Sequence, residues 1–250
     1  MRLLQTLVTA AALSTGFVAS ANATIVTIFD AIADGRNTFN STVAGAGGTV
    51  SSDVWNSIGS GASIDRGAYT ITRNNGGTIF PTTYGTMSGQ VVSIDPSGGA
   101  SNPRSNPMDY FGSGVTLTFG SAVNSIGFEV GDWATCCTNP TTDLFISFDD
   151  GAPILVASAS MSSQGVFPRQ TGSGSAYEIF VAAFDDTGDF TKVSFWGNGI
   201  GEYLLFGGEV RYALLDQGSL PPSVVPLPAG SLLLFSALGV AAFARRRKQV

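Results

Sequence analysis

Nine short runs rich in β-branched and aromatic residues, separated by Gly, Asn, Asp and Pro, constrain this chain more than any other feature of it. Such runs suit a pleated, half-buried surface, and the turn residues between them interrupt any longer helical pattern. They lie at 24–29, 68–72, 115–119, 125–130, 144–148, 154–159, 177–183, 192–195 and 203–214. In Leu144-Phe145-Ile146-Ser147-Phe148 the alternation runs into Asp149-Asp150-Gly151-Ala152 and resumes at Pro153-Ile154-Leu155-Val156, which predicts a β-hairpin. Gly207-Gly208 inside the last run predicts a bulge that bends the strand. Phe39 and Val43, four apart, predict a short helix over 37–44, and the Ser-, Gly-, Pro- and Asn-rich stretch 85–114 reads as a long loop. A hydrophobic content of 44% with only 12% charged residues argues against a disordered chain or a charged helical bundle. The expected class is therefore all-β, a single β-sandwich of jelly-roll-like topology over residues 24–220.

Both ends carry a different signal. Met1 and Arg2 precede an apolar run over 3–18, and Ala21 and Ala23 supply the A-x-A pattern of a cleavage site, so 1–23 reads as a secretory signal peptide and the mature chain as starting at Thr24. Residues 221–228 form a Pro-rich linker, followed over 229–250 by a hydrophobic helix and a basic tail. At about 1.5 Å per residue, 224–244 is long enough to cross a bilayer as one transmembrane helix. Arg245, Arg246, Arg247 and Lys248 would then remain cytoplasmic under the positive-inside rule, with 24–220 as an ectodomain. Five of the 12 basic residues sit in these two ends, so the body between them holds 7 against all 18 acids, about −11 in charge. That balance disfavours nucleic acid and anionic lipid as partners.

Val225-Pro226-Leu227-Pro228-Ala229, the apolar stretch 231–244 and the Arg-rich end occur in the order of a known signal. They resemble a PEP-CTERM sorting domain, in the variant that reads Val-Pro-Leu-Pro-Ala, with Leu227 where the commoner motif has Glu. The resemblance covers about the last 26 residues. It implies transient insertion in the inner membrane of a Gram-negative bacterium, recognition by an exosortase-like membrane protease, cleavage near Pro226-Leu227-Pro228, and release to the cell surface or extracellular matrix.

Candidate sites in the body are few. The absence of histidine removes Ser-His-Asp and Cys-His catalysis and His-based zinc sites. A pair of carboxylates still suits a glycosidase, but no motif names a nucleophile with its base, and a non-enzymatic protein is expected. Cys136 and Cys137 are the only cysteines and adjacent, so in an oxidising envelope they form a strained vicinal disulfide, stay free or bridge two molecules. Asp132 and Trp133 in the same loop offer either an exposed indole platform for a ligand or a plug at the end of the core. Asp185, Asp186 and Asp189 bring three carboxylates into five residues, as a calcium loop or as solvated turn residues. The resulting expectation is an exported protein with a structural or adhesive role, as in a biofilm matrix. The alternative is a glycan-binding module that contacts exopolysaccharide through Trp133 and the acidic loop, with calcium assisting.

Overall fold

A computed structural model describes residues 24–94, 106–135, 142–197 and 204–220. In chain order its strands are β1 (Ile25–Phe29), β2 (Ser51–Val54), β3 (Ser63–Asp65), β4 (Tyr69–Arg73), β5 (Pro81–Thr82), β6 (Val91–Ile94), β7 (Val115–Val123) and β8 (Ser125–Gly131). They continue with β9 (Thr142–Phe148), β10 (Ile154–Ala159), β11 (Phe167–Pro168), β12 (Ser175–Ala176), β13 (Glu178–Phe184), β14 (Phe190–Gly197) and β15 (Leu204–Ala213). One helix, α1 (Ile32–Gly45), and two 3-10 turns, Pro107–Ser113 and Ser162–Gly165, complete the described elements.

Two antiparallel sheets form a sandwich. One has the order β1-β13-β8-β15-β6-β5, with β2 also pairing β15, and the other β10-β9-β14-β7-β4-β3. A single core joins them: Phe128, Val130, Val181 and Phe206 from the first sheet meet Ile71, Leu117, Ile146 and Phe195 from the second. Aromatic pairs cross the gap, with the Phe128 and Phe195 ring centroids 5.0 Å apart and Phe195 and Phe206 5.5 Å apart. At the rim, the Trp55 indole N–H donates to the Tyr69 hydroxyl at 2.7 Å, which donates to Asp53 at 2.6 Å. The Tyr69 hydroxyl is thereby held above its ordinary range, first by burial and then by Asp53.

The sequence-predicted runs all become strands: 154–159 keeps its bounds, and the others are lengthened, shortened or shifted by one to four residues at their ends. The hairpin forms as read, and Asp149 and Asp150 take φ of +46° and +60° while Gly151 N–H bonds Phe148 C=O at 2.8 Å, the geometry of a type I′ turn. Between Gly207 and Arg211 the register of β15 against β8 shifts, so the predicted bulge is present. Gly208 has φ of +66°, and a Cβ there would strike the Glu129 carboxylate.

Two expectations need correction. The helix is 14 residues long, beginning at Ile32 and not at 37, because Ile32, Gly35, Phe39, Thr42 and Val43 form one buried stripe. That stripe lies on the outer face of the first sheet, where Phe39 stacks on Phe184 at 5.2 Å and meets Phe180 edge-on at 6.5 Å. The stretch 85–114 is not wholly loop: it contains β6, whose Val91, Val92 and Ile94 are fully buried, and the turn Pro107–Ser113. The turn caps an aromatic cluster on the outer face of the second sheet, where the Trp196 indole N–H donates to the Pro107 carbonyl at 3.0 Å. No described helix is long and apolar enough to cross a membrane. The signal peptide, the linker and the expected transmembrane helix fall at 1–23 and 221–250, outside the described residues.

Candidate functional site

A groove of about 680 Å³ opens where β1 ends and α1 begins, facing the short strand β11. Ile28, Phe29, Val166, Phe167 and Pro168 make its apolar walls, and Asp30 and Asp34 bring two exposed carboxylates to it. Asp34 sits in the first turn of α1, where the partial positive charge of the helix terminus favours an acid. Behind the groove Phe167 lies parallel to Trp133, with 6.1 Å between centroids and 9° between planes.

That places Trp133 inside. Its residual exposure is 3%, so the ring plugs the end of the core, and its indole N–H has no hydrogen-bond partner among the described residues. Neighbouring Asp132 and Ala134 both have positive φ, +59° and +58°, which turns the chain sharply on either side of the indole. Asp132 accepts a hydrogen bond from the Tyr84 hydroxyl at 2.8 Å. Burial, with Asp132 adding to it, pushes that hydroxyl above its usual range. Cys136 and Cys137 follow directly and lie outside the described residues.

A second polar cluster lies under α1. Arg36 bonds Glu129 and the Ser88 hydroxyl, and its Nε stands 3.0 Å from Glu209. Ser88 N–H donates to the other Glu129 oxygen at 2.7 Å, and Arg211 bridges Glu209 and Asn40, each at 2.7 Å. Burial dominates at Glu129, whose carboxyl is raised above the ordinary range despite Arg36 and Ser88. Nearby Glu178, also buried, accepts the Thr86 N–H at 2.6 Å. Since Arg36 engages both Glu129 and Glu209, the two carboxylates are held as ion pairs, and what the cluster does chemically is fasten the helix to the sheet. Its sequence signal was a charge inside an otherwise apolar strand, in Ile126-Gly127-Phe128-Glu129-Val130 and again at Glu209-Val210.

The acidic loop does not converge. Asp185 Oδ1 accepts from Thr187 N–H at 2.9 Å, its hydroxyl at 2.8 Å and Gly188 N–H at 3.0 Å, while Oδ2 accepts from the Thr24 hydroxyl at 3.1 Å. Asp186 is buried and accepts the Leu220 N–H at 3.2 Å, whereas Asp189 is exposed. Among the described residues no group of three acidic, cysteine or histidine side chains is placed to hold a metal ion. Asp185 and Asp186 thus tie both ends of the described body to one turn. Ala21, Ala23, the motif Val225 to Ala229 and the basic residues Arg245 to Lys248 are outside the described residues. The groove residues Asp30, Asp34 and Phe167 carried no sequence pattern of their own.

The fold and sites described define an antiparallel β-sandwich with one helix-covered face and an acidic edge groove. No family model matches the chain, and no curated protein matches it. Among solved structures it is similar to the catalytic unit of a thermostable GH87 alpha-1,3-glucanase from Streptomyces thermodiastaticus strain HF3-3, with 12% identity and a TM-score of 0.33. The match covers 72% of this chain and 28% of that one, and a likeness at this level carries neither fold nor activity across.

Proposed function

We propose that this chain is an exported surface or extracellular-matrix protein of a Gram-negative bacterium, delivered by an exosortase-like system, with a structural or adhesive role. The observation that carries this reading is the order of Val225-Pro226-Leu227-Pro228-Ala229, apolar stretch and Arg245 to Lys248 at one end, opposite a signal peptide at the other. The body suits it. Thr24 and Leu220 are held by the adjacent residues Asp185 and Asp186, so the described chain enters and leaves at one corner. The jelly-roll reading draws support from the strand order, β6-β15-β8-β13 in one sheet and β7-β14-β9-β10 in the other, which two interlocked Greek keys produce. The exopolysaccharide alternative asks for an exposed indole, and a Trp133 that is 3% exposed gives it less support.

Mass spectrometry of the intact protein, recovered from its native host after separating envelope from culture fluid, tests the proposal. The expected chain starts at Thr24, ends near Pro228 and lies outside the inner membrane. A chain that still ends at Val250 in the inner membrane overturns sorting and makes the C-terminal segment an anchor.

A further inference from the structure

The outer strands of the two sheets are not equally protected against pairing with another strand. β10 carries a bulge between Leu155 and Ala157, β5 is two residues long and starts with Pro81, and β3 is three residues long and ends on Asp65. These are the devices by which sheets blunt their edges. β1 has none of them. Ile-Val-Thr-Ile-Phe is uncharged, lacks proline, keeps an unbroken register against β13 from Ile25↔Phe184 to Phe29↔Phe180, and pairs no second strand among the described residues. Its four apolar side chains stay half-buried and Thr27 is exposed, whereas every residue of the neighbouring β13 is buried. The apolar surface continues past the strand. β10 lies against β1 and exposes Leu155, and beyond it Met161 and Val166 are exposed, Val166 on the groove wall with Ile28 and Phe29.

We propose that β1 pairs with β1 of a second copy of this chain, antiparallel about a two-fold axis at Thr27, so that the β1 sheets of two molecules join into one. Three observations select this occupant. The first is register. Paired with itself about its middle residue, the strand puts Ile25 opposite Phe29 of the other copy, Val26 opposite Ile28 and Thr27 opposite Thr27. Apolar side chains then meet apolar ones on both faces, and the two exposed threonines meet each other. Val26 and Ile28 pack on the core between the sheets and Phe29 on the cluster beneath α1, so the pairing continues both layers across the axis. The second is charge. Two copies of so acidic a body repel each other, and β1 is a stretch of edge without a carboxylate. The antiparallel arrangement sets Asp30 of each copy about 20 Å from its counterpart along the seam, beyond the screening length of roughly 8 Å, whereas a parallel one sets the two side by side. The third is area. Five residue pairs alone fall short of the roughly 1,200 Å² of a stable interface. The exposed Leu155, Met161 and Val166 at the same margin extend the apolar surface that a second copy can cover. The pairing does not rest on the sorting reading.

Sedimentation of the full chain in detergent micelles, over a range of protein-to-detergent ratios, tests this beside Thr27→Lys, which puts two like charges on the axis by changing a side chain exposed in the single molecule. Wild type should form dimers, and Thr27→Lys should weaken association by about tenfold or more with an unchanged circular dichroism spectrum. Thr27→Cys, combined with Cys136→Ser and Cys137→Ser, should give a covalent dimer on mild oxidation, because residues facing each other on the axis lie within disulfide reach. Ser41→Cys, exposed on α1, should not do so in the same background. A wild type that stays monomeric overturns the proposal. So does a dimer that Thr27→Lys leaves equally strong, because the copies are then held elsewhere. Equal cross-linking by the two cysteine variants overturns it independently of the lysine variant.

Discussion

Glu129 shows how a single buried charge shapes the pH response. It is inaccessible to solvent, and its carboxyl is raised chiefly by desolvation although Arg36 and Ser88 both favour the ionised form. A carboxyl whose folded pKa exceeds its unfolded value binds its proton more tightly in the native state. Its contribution to stability is then complete below the unfolded value, about 4.3 for glutamate, and is lost as pH climbs through the raised one. Glu129→Gln should remove that decline, so the difference in urea midpoint between wild type and variant should drift in favour of the variant as pH rises from about 4.3 toward neutrality. A difference that stays flat over the range assigns the pH response to other groups. The exposed pair Lys192–Asp150, 2.6 Å apart at the hairpin turn, belongs to the opposite regime, where solvent and salt leave little net stabilisation.

At the scale of elements, α1 is decided by what it lies on. Its stripe contains Gly35 and Thr42, neither of which advertises a buried helical face, and so the four-residue spacing of Phe39 and Val43 was all that its sequence displayed. Gly35 is required because the helix meets the sheet at Phe180: a Cβ on it would stand 2.5 Å from the Phe180 Cβ. On an exposed helix Gly→Ala stabilises by about 1 kcal/mol. Here the sign should reverse, and Gly35→Ala should cost about 1–3 kcal/mol by overpacking, read as a fall in the thermal midpoint. A rise would mean that helix and sheet separate easily. The strands tell the opposite story. The nine runs were legible because alternation and turn chemistry are local, and the type I′ turn at Asp149–Asp150 follows from residues that tolerate positive φ. β2, β3, β5, β6, β11 and β12 were not, since two to four residues hold no readable period and exist only where a neighbour offers an edge.

At the scale of the molecule, one apolar core draws on both sheets, so the inner face of each sheet is exposed if the other is lost. Unfolding should therefore be a single transition, with midpoints from far-UV circular dichroism and tryptophan fluorescence coinciding in urea. Trp55 and Trp133 report that core and Trp196 the outer face of the second sheet, so separated midpoints would reveal a sandwich that comes apart in steps.

The order of residues along the chain determined the β class, the positions of the long strands, and the hairpin and bulge, because each is expressed within a few neighbouring residues. Tertiary structure decided the rest. Arg36 and Glu129 are 93 residues apart and meet only because β8 lies under α1. The groove joins β1, the start of α1 and β11 for the same reason, and Trp133 is inside and not on the rim because Phe167 closes over it. Such contacts follow from which strands become neighbours in the sheets, a choice made by burying all their apolar faces at once, which no local pattern can encode.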